Sequence, residues 1–137
     1  MLKPPRTVLL FGTFDGVHAG HRDLLRQANL LGNTLVIILA RDQTVMQVKG
    51  KLPKYNEVER KSRLEKEYEV TKVILGSLND KYEAIREIQP EIIALGYDQK
   101  AFTEKLEAYV ATHLPSTRIV RLQPFEPHLH KSSLLNK

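Results

Sequence analysis

The chain has 137 residues, with 21 Lys+Arg against 16 Asp+Glu for a net charge of +5, 42% apolar residues and no cysteine. That length and balance suit one globular domain over residues 1–137. The missing cysteines exclude a disulfide framework, a thiolate metal site and a cysteine nucleophile. The basic residues are spread along the chain without zinc-finger spacing or an RRM-like aromatic–basic pattern, which argues against nucleic acid. No run is long and apolar enough to span a membrane, and Met1–Arg6 lacks the apolar core of a signal peptide, so a reducing cytoplasm is the expected setting.

Taken in order, Val8-Leu9-Leu10-Phe11 reads as a buried strand. Arg22–Leu31 places Leu24, Leu25, Ala28 and Leu31 at helical spacing, with Gly32 as the expected C-cap. Thr34–Ala40 is a continuous β-branched run, the pattern of a strand buried on both faces. Arg41–Lys54 is polar and basic, a loop with a short helical piece. Asn56–Glu67 favours helix, with Asn56 and Glu59 at capping-box spacing. Lys72–Leu75 is a short strand closed by Gly76, and Tyr82–Ile88 is a helix stopped before Pro90. Glu91–Leu95 is a strand closed by Gly96. Phe102–Thr112 is a helix with Phe102, Leu106 and Tyr109 on one face, and Arg118–Leu122 is a last strand. Strands alternating with helices through short connections predict an α/β fold: a five-stranded parallel sheet flanked by helices. Ligands of such sheets bind beyond the carboxyl ends of the strands.

The segment after the first strand, Gly12-Thr13-Phe14-Asp15-Gly16-Val17-His18-Ala19-Gly20-His21, concentrates the unusual residues. Glycines at 12, 16 and 20 match neither the dinucleotide fingerprint nor a Walker loop, and Lys49-Gly50-Lys51-Leu52 has no hydroxyl after its lysine. His18 and His21 are three apart at an expected helix start, where free N–H groups and the helix dipole favour anions. A zinc pair would need a third ligand that the sequence does not offer, so no metal ligand is assigned. Capping or surface histidines are the structural alternative. Lys49, Lys51 and Lys54 read structurally as a solvated loop, Gly96-Tyr97-Asp98 as a turn, and His128 and His130 as exposed tail residues.

Gly12-Thr13-Phe14-Asp15 followed by His18-Ala19-Gly20-His21 resembles the signature of the cytidylyltransferase-like nucleotidyltransferases, and the resemblance runs from Thr7 to about Leu135. It implies a Rossmann-like fold and transfer of a nucleotidyl group from ATP or CTP to a phosphate-bearing acceptor, with release of pyrophosphate. A divalent cation such as Mg²⁺ would bridge the triphosphate. It implies that His18 and His21 stabilise the transition state, assisted by Lys49. Gly12, Thr13, Phe14, Gly20, Gly96 and Asp98 would contact the nucleotide, and Ser132 and Ser133 its outer phosphates. Asp15, Lys51, Arg60 and Lys131 would serve the acceptor or the phosphates.

Arg41-Asp42 and Gly96-Tyr97-Asp98-Gln99 are similar to the archaeal-type FAD synthases, which transfer AMP to FMN. Glycerol-3-phosphate cytidylyltransferases tend to have a second acidic residue at the position of Tyr97. They also have an Arg and a Gly about where Glu126 and Leu129 stand here. Transfer of CMP to glycerol 3-phosphate is therefore the second expectation and a sugar-phosphate acceptor the third. A non-catalytic nucleotide-binding module is the alternative from another class, and the two histidines argue against it. Relatives often pair as homodimers, an option the resemblance leaves open.

Overall fold

The computed structural model describes residues 5–96 and 103–124, and its central layer is one parallel sheet. The strands are β1 (Thr7–Gly12), β2 (Thr34–Leu39), β3 (Lys72–Leu75), β4 (Ile92–Leu95) and β5 (Arg118–Arg121). They lie in the order β3-β2-β1-β4-β5. Between them run α1 (Ala19–Asn29), α2 (Asp42–Lys49), α3 (Glu57–Glu65), α4 (Glu83–Ile88) and α5 (Thr103–His113). The strand order reverses direction between β1 and β4, so a crevice opens at their carboxyl ends, the usual ligand position in an open α/β sheet.

Both faces of the sheet are dry, which is why its strands read as unbroken apolar runs. Val8, Leu10, Leu35, Ile37, Leu39, Ile92 and Ala94 point to one face and pack with Leu25 and Ala28 of α1 and Leu64 of α3. Leu9, Val36, Ile38, Ile93 and Leu95 alternate to the other face, where Ile85 of α4 and Leu106 and Val110 of α5 cover them. The two-residue period of the strands thus sorts one continuous sequence pattern into two cores.

Two expectations shift and a third is sharpened. α1 begins three residues before Arg22, because His18 caps it, and it ends at Asn29 with Leu30 as a right-handed C-cap. Gly32 is therefore not the cap: a Cβ there would collide with the Arg6 carbonyl, so glycine lets the turn before β2 press against the start of β1. The basic loop after β2 holds an eight-residue helix, α2, closed by Gly50 in the left-handed conformation at φ 77°. The Asn56 cap on α3 is as expected, its side chain accepting the Glu59 N–H at 2.9 Å. Phe102 lies outside the described residues.

Candidate active site

A cavity of about 910 Å³ opens at the carboxyl ends of β1 and β4. Gly12 and Gly96 close the two strands at its floor, α1 enters it end-on, and the last turn of α2 overhangs it. Gly12, Thr13, Phe14, Asp15, His18, Gly20, His21, Lys49 and Gly96 all line it. Residues far apart in sequence are brought to one volume by the parallel topology alone.

The α1 end is built from its own side chains. His18 Nδ1 accepts the Gly20 N–H at 3.1 Å, which satisfies one of the helix's unpaired donors and leaves the ring's proton on Nε2. His21 Nδ1 lies 3.1 Å from the Gly16 carbonyl and 3.4 Å from the His18 N–H. The two imidazoles stack with centroids 3.7 Å apart. Each ring thus spends Nδ1 on backbone, and both residues line the cavity. Burial pushes the His21 imidazolium down, the neighbouring His18 adds to that, and the Gly16 carbonyl and Asp15 only partly oppose it, so His21 titrates below its ordinary value.

Phe14 takes a positive φ of 48°, and its ring folds back over Gly12. A Cβ on Gly12 would stand 2.6 Å from that ring. The ring is buried, 4% exposed, and tilted against His21 at 5.0 Å. Its side chain is a core strut under the second histidine, while the residue still lines the cavity. Asp15 accepts the N–H groups of Lys54 at 2.7 Å and Tyr55 at 2.9 Å. Partial desolvation raises its pKa, but those two bonds together with the charges of Arg60 and Lys49 outweigh it and hold the carboxyl below its ordinary range. Both of its oxygens are occupied by the chain itself.

Arg60 is the clearest correction. Its side chain is fully buried. It donates to the carbonyls of Tyr55 (2.9 Å), Thr13 (2.9 Å) and Ala40 (2.8 Å) and to Asp42 at 2.8 Å. It is not part of the cavity lining; it ties the loop after β1 to the loop after β2. Asp42 and Glu57 complete the knot by exchanging backbone N–H bonds with each other's carboxylates, and Arg41 pairs with Glu57 at 3.2 Å. Lys51 is exposed and lies off the cavity wall. Asp98, Lys131, Ser132 and Ser133 lie outside the described residues.

The apolar side of the wall escapes the sequence reading. Leu24 reads as part of the core stripe of its helix, and Val48 stands inside a basic run, yet both line the cavity. The available signal is the spacing of Val45, Val48 and Lys49, one helical face if the run is helix. Among the described residues no group of three or more His, Cys, Asp or Glu could hold a metal ion. No helix of the described residues is long and apolar enough to cross a membrane.

A family model described as cytidylyltransferase-like matches residues 9–131, nearly the whole chain. The chain belongs to the cytidylyltransferase-like family. Among curated relatives it is 35% identical over 130 residues to a protein named FAD synthase from Thermoplasma acidophilum, covering 95% of this chain and 91% of that one. It is 37% identical over 118 residues to a protein of the same name from Aciduliprofundum boonei, covering 86% and 78%. Among solved structures it is similar to that of a protein named as the lipopolysaccharide core biosynthesis protein from Thermoplasma volcanium GSS1. The TM-score there is 0.81 at 33% identity, over 88% of this chain and 98% of that one. For a cytidylyltransferase-like chain the stacked pair at the start of α1 is the family's histidine motif, set at the sheet's switch point.

Proposed function

We propose that this chain is an FMN adenylyltransferase, making FAD and pyrophosphate from ATP and FMN. The observation that carries the chemistry is the stacked His18–His21 pair, each ring held through Nδ1 by backbone. The acceptor identity is supported by the two relatives named FAD synthase, whose matches span most of both chains.

In this reading an oxygen of the FMN phosphate attacks the α-phosphorus of ATP, and the bond to the bridging oxygen breaks as pyrophosphate leaves. The nucleophile is already an anion, so no general base is needed. The barrier is charge gathered on the α-phosphoryl oxygens, and fixed donors lower it without reorganising. His18, with its proton on Nε2, is such a donor, and the start of α1 adds its dipole. Lys49 adds a cation from the opposite wall. Asp15 acts through Lys54 and Tyr55, holding the approach to α3 against the loop after β1. Asp15 is the one carboxylate on the cavity wall among the described residues, and both its oxygens accept backbone bonds. A magnesium ion would enter as part of the substrate, carried by the nucleotide phosphates.

The test is pyrophosphate release with Mg²⁺, ATP or CTP, and a panel of FMN, glycerol 3-phosphate and sugar 1-phosphates. FAD formation from ATP and FMN alone is the expected outcome. A sugar-phosphate acceptor is the second reading, supported by the solved neighbour, which is named for lipopolysaccharide core biosynthesis; turnover of a sugar 1-phosphate without FMN turnover would select it.

A further inference from the structure

We infer that Val48 is the residue that selects a flat, apolar acceptor, contacting the fused ring of the flavin while the motif histidines hold phosphate; this rests on the reading above. Val48 is 78% exposed, yet it lines the cavity. The helix explains how. Val45, Val48 and Lys49 share one face of α2. Val45 is buried, but one turn later the sheet has ended, so the same face overhangs open space. Among the described residues Val48 belongs to neither hydrophobic core, so its methyls are free to meet an apolar surface that enters the cavity.

The position separates acceptor from nucleotide. α2 follows β2, on one side of β1, whereas Gly96 closes β4 on the other. Gly96 lines the cavity on that side, where the nucleoside is assigned. The wall toward β2 carries Val48 beside Lys49, an apolar contact next to a cation. That pairing suits a phosphorylated molecule with an apolar body. Adenine at Val48 would be the opposite assignment, and the same kinetics decide between them.

The experiment uses the intact protein with ATP and FMN, comparing wild type, Val48→Thr and Leu52→Thr. Threonine keeps the shape and branching of valine and changes one methyl to a hydroxyl, and both sites are exposed, so the fold is not at stake. Leu52 is 65% exposed and lies off the cavity. Val48→Thr is expected to raise the KM for FMN about five- to tenfold and leave the KM for ATP within about twofold, with Leu52→Thr changing neither. A rise in the KM for ATP instead, no change in either, or an equal effect from Leu52→Thr would overturn the assignment while FAD synthesis stands. Failure of the wild type to make FAD would overturn the proposed function and this inference together.

Discussion

Arg60 and Lys49 are eleven positions apart in one basic stretch, and the structure gives them opposite work. Arg60 is fully buried and spends four hydrogen bonds on three carbonyls and one carboxylate. Lys49 stands exposed at the end of α2 with its side chain on the cavity. Guanidinium suits the first place because its rigid fork can serve several fixed acceptors at once, and ammonium suits the second because a flexible, hydrated charge can follow a moving phosphate. Positive charge near a phosphate site thus divides into a part that shapes the site and a part that touches what enters it. Burial tells the two apart.

The widest test of that division removes a group of each kind. His18→Ala, which in the proposed mechanism removes a donor to the reacting phosphate, should lower kcat by about 10²- to 10³-fold with a smaller change in KM; a loss confined to KM would count against a transition-state role. Arg60→Met should instead lower unfolding stability by about 3 kcal/mol or more, because it strands three carbonyls and the Asp42 carboxylate; urea denaturation measures it. Lys49→Ala should cost roughly 10- to 100-fold in kcat/KM, the worth of a charge-assisted hydrogen bond, with a urea midpoint close to wild type. If Lys49→Ala unfolds the protein, or Arg60→Met lowers only activity, the division is wrong. Gly12→Ala should destabilise by about 1–3 kcal/mol by pushing the Phe14 ring off its seat and toward His21.

The smallest effect is in pH. The pKa of His21 is depressed below its ordinary 6.5, so the unfolded chain binds the proton first as acid is added. Its share of stability is whole above pH 6.5 and is lost as pH falls through the lower folded value. Asp15 has the same sign further down, below its ordinary 3.8. Chemical denaturation of wild type and His21→Gln across that window should show a shallower slope for the variant.

The strands are legible because burial on both faces leaves an unbroken apolar signature, and Lys72–Leu75 matches residue for residue. The Asn56 cap is legible because asparagine is a common capping residue, the His18 cap less so because histidine is not, and Gly32 is misread because tertiary contact with Arg6 decides it. The histidine motif and its place after β1 are readable from type and spacing, and its cavity partners Gly12, Asp15, Lys49 and Gly96 through the family resemblance that the motif carries. Arg60 is misread because sequence shows charge and not depth, and nothing local marks a side chain that bonds to Thr13 and Ala40. The inward fold of the Phe14 ring is hidden for the same reason, since nothing local announces its positive φ. Val48 is passed over because its neighbours are polar.

The knot around Arg60 also bears on how such a protein could change its acceptor. Ala40 and Asp42 are fixed at one end of the stretch that holds α2, and Lys54 and Tyr55 at the other. What lies between is a span with both footings set in the body of the molecule. Lengthening or shortening such a span changes closure entropy only slowly, so residues can be added or removed between the footings while β1, the histidines and the nucleotide floor stay where they are. Variation confined to that span, with Lys49 kept, would change the wall beside Val48 and leave the histidine end in place.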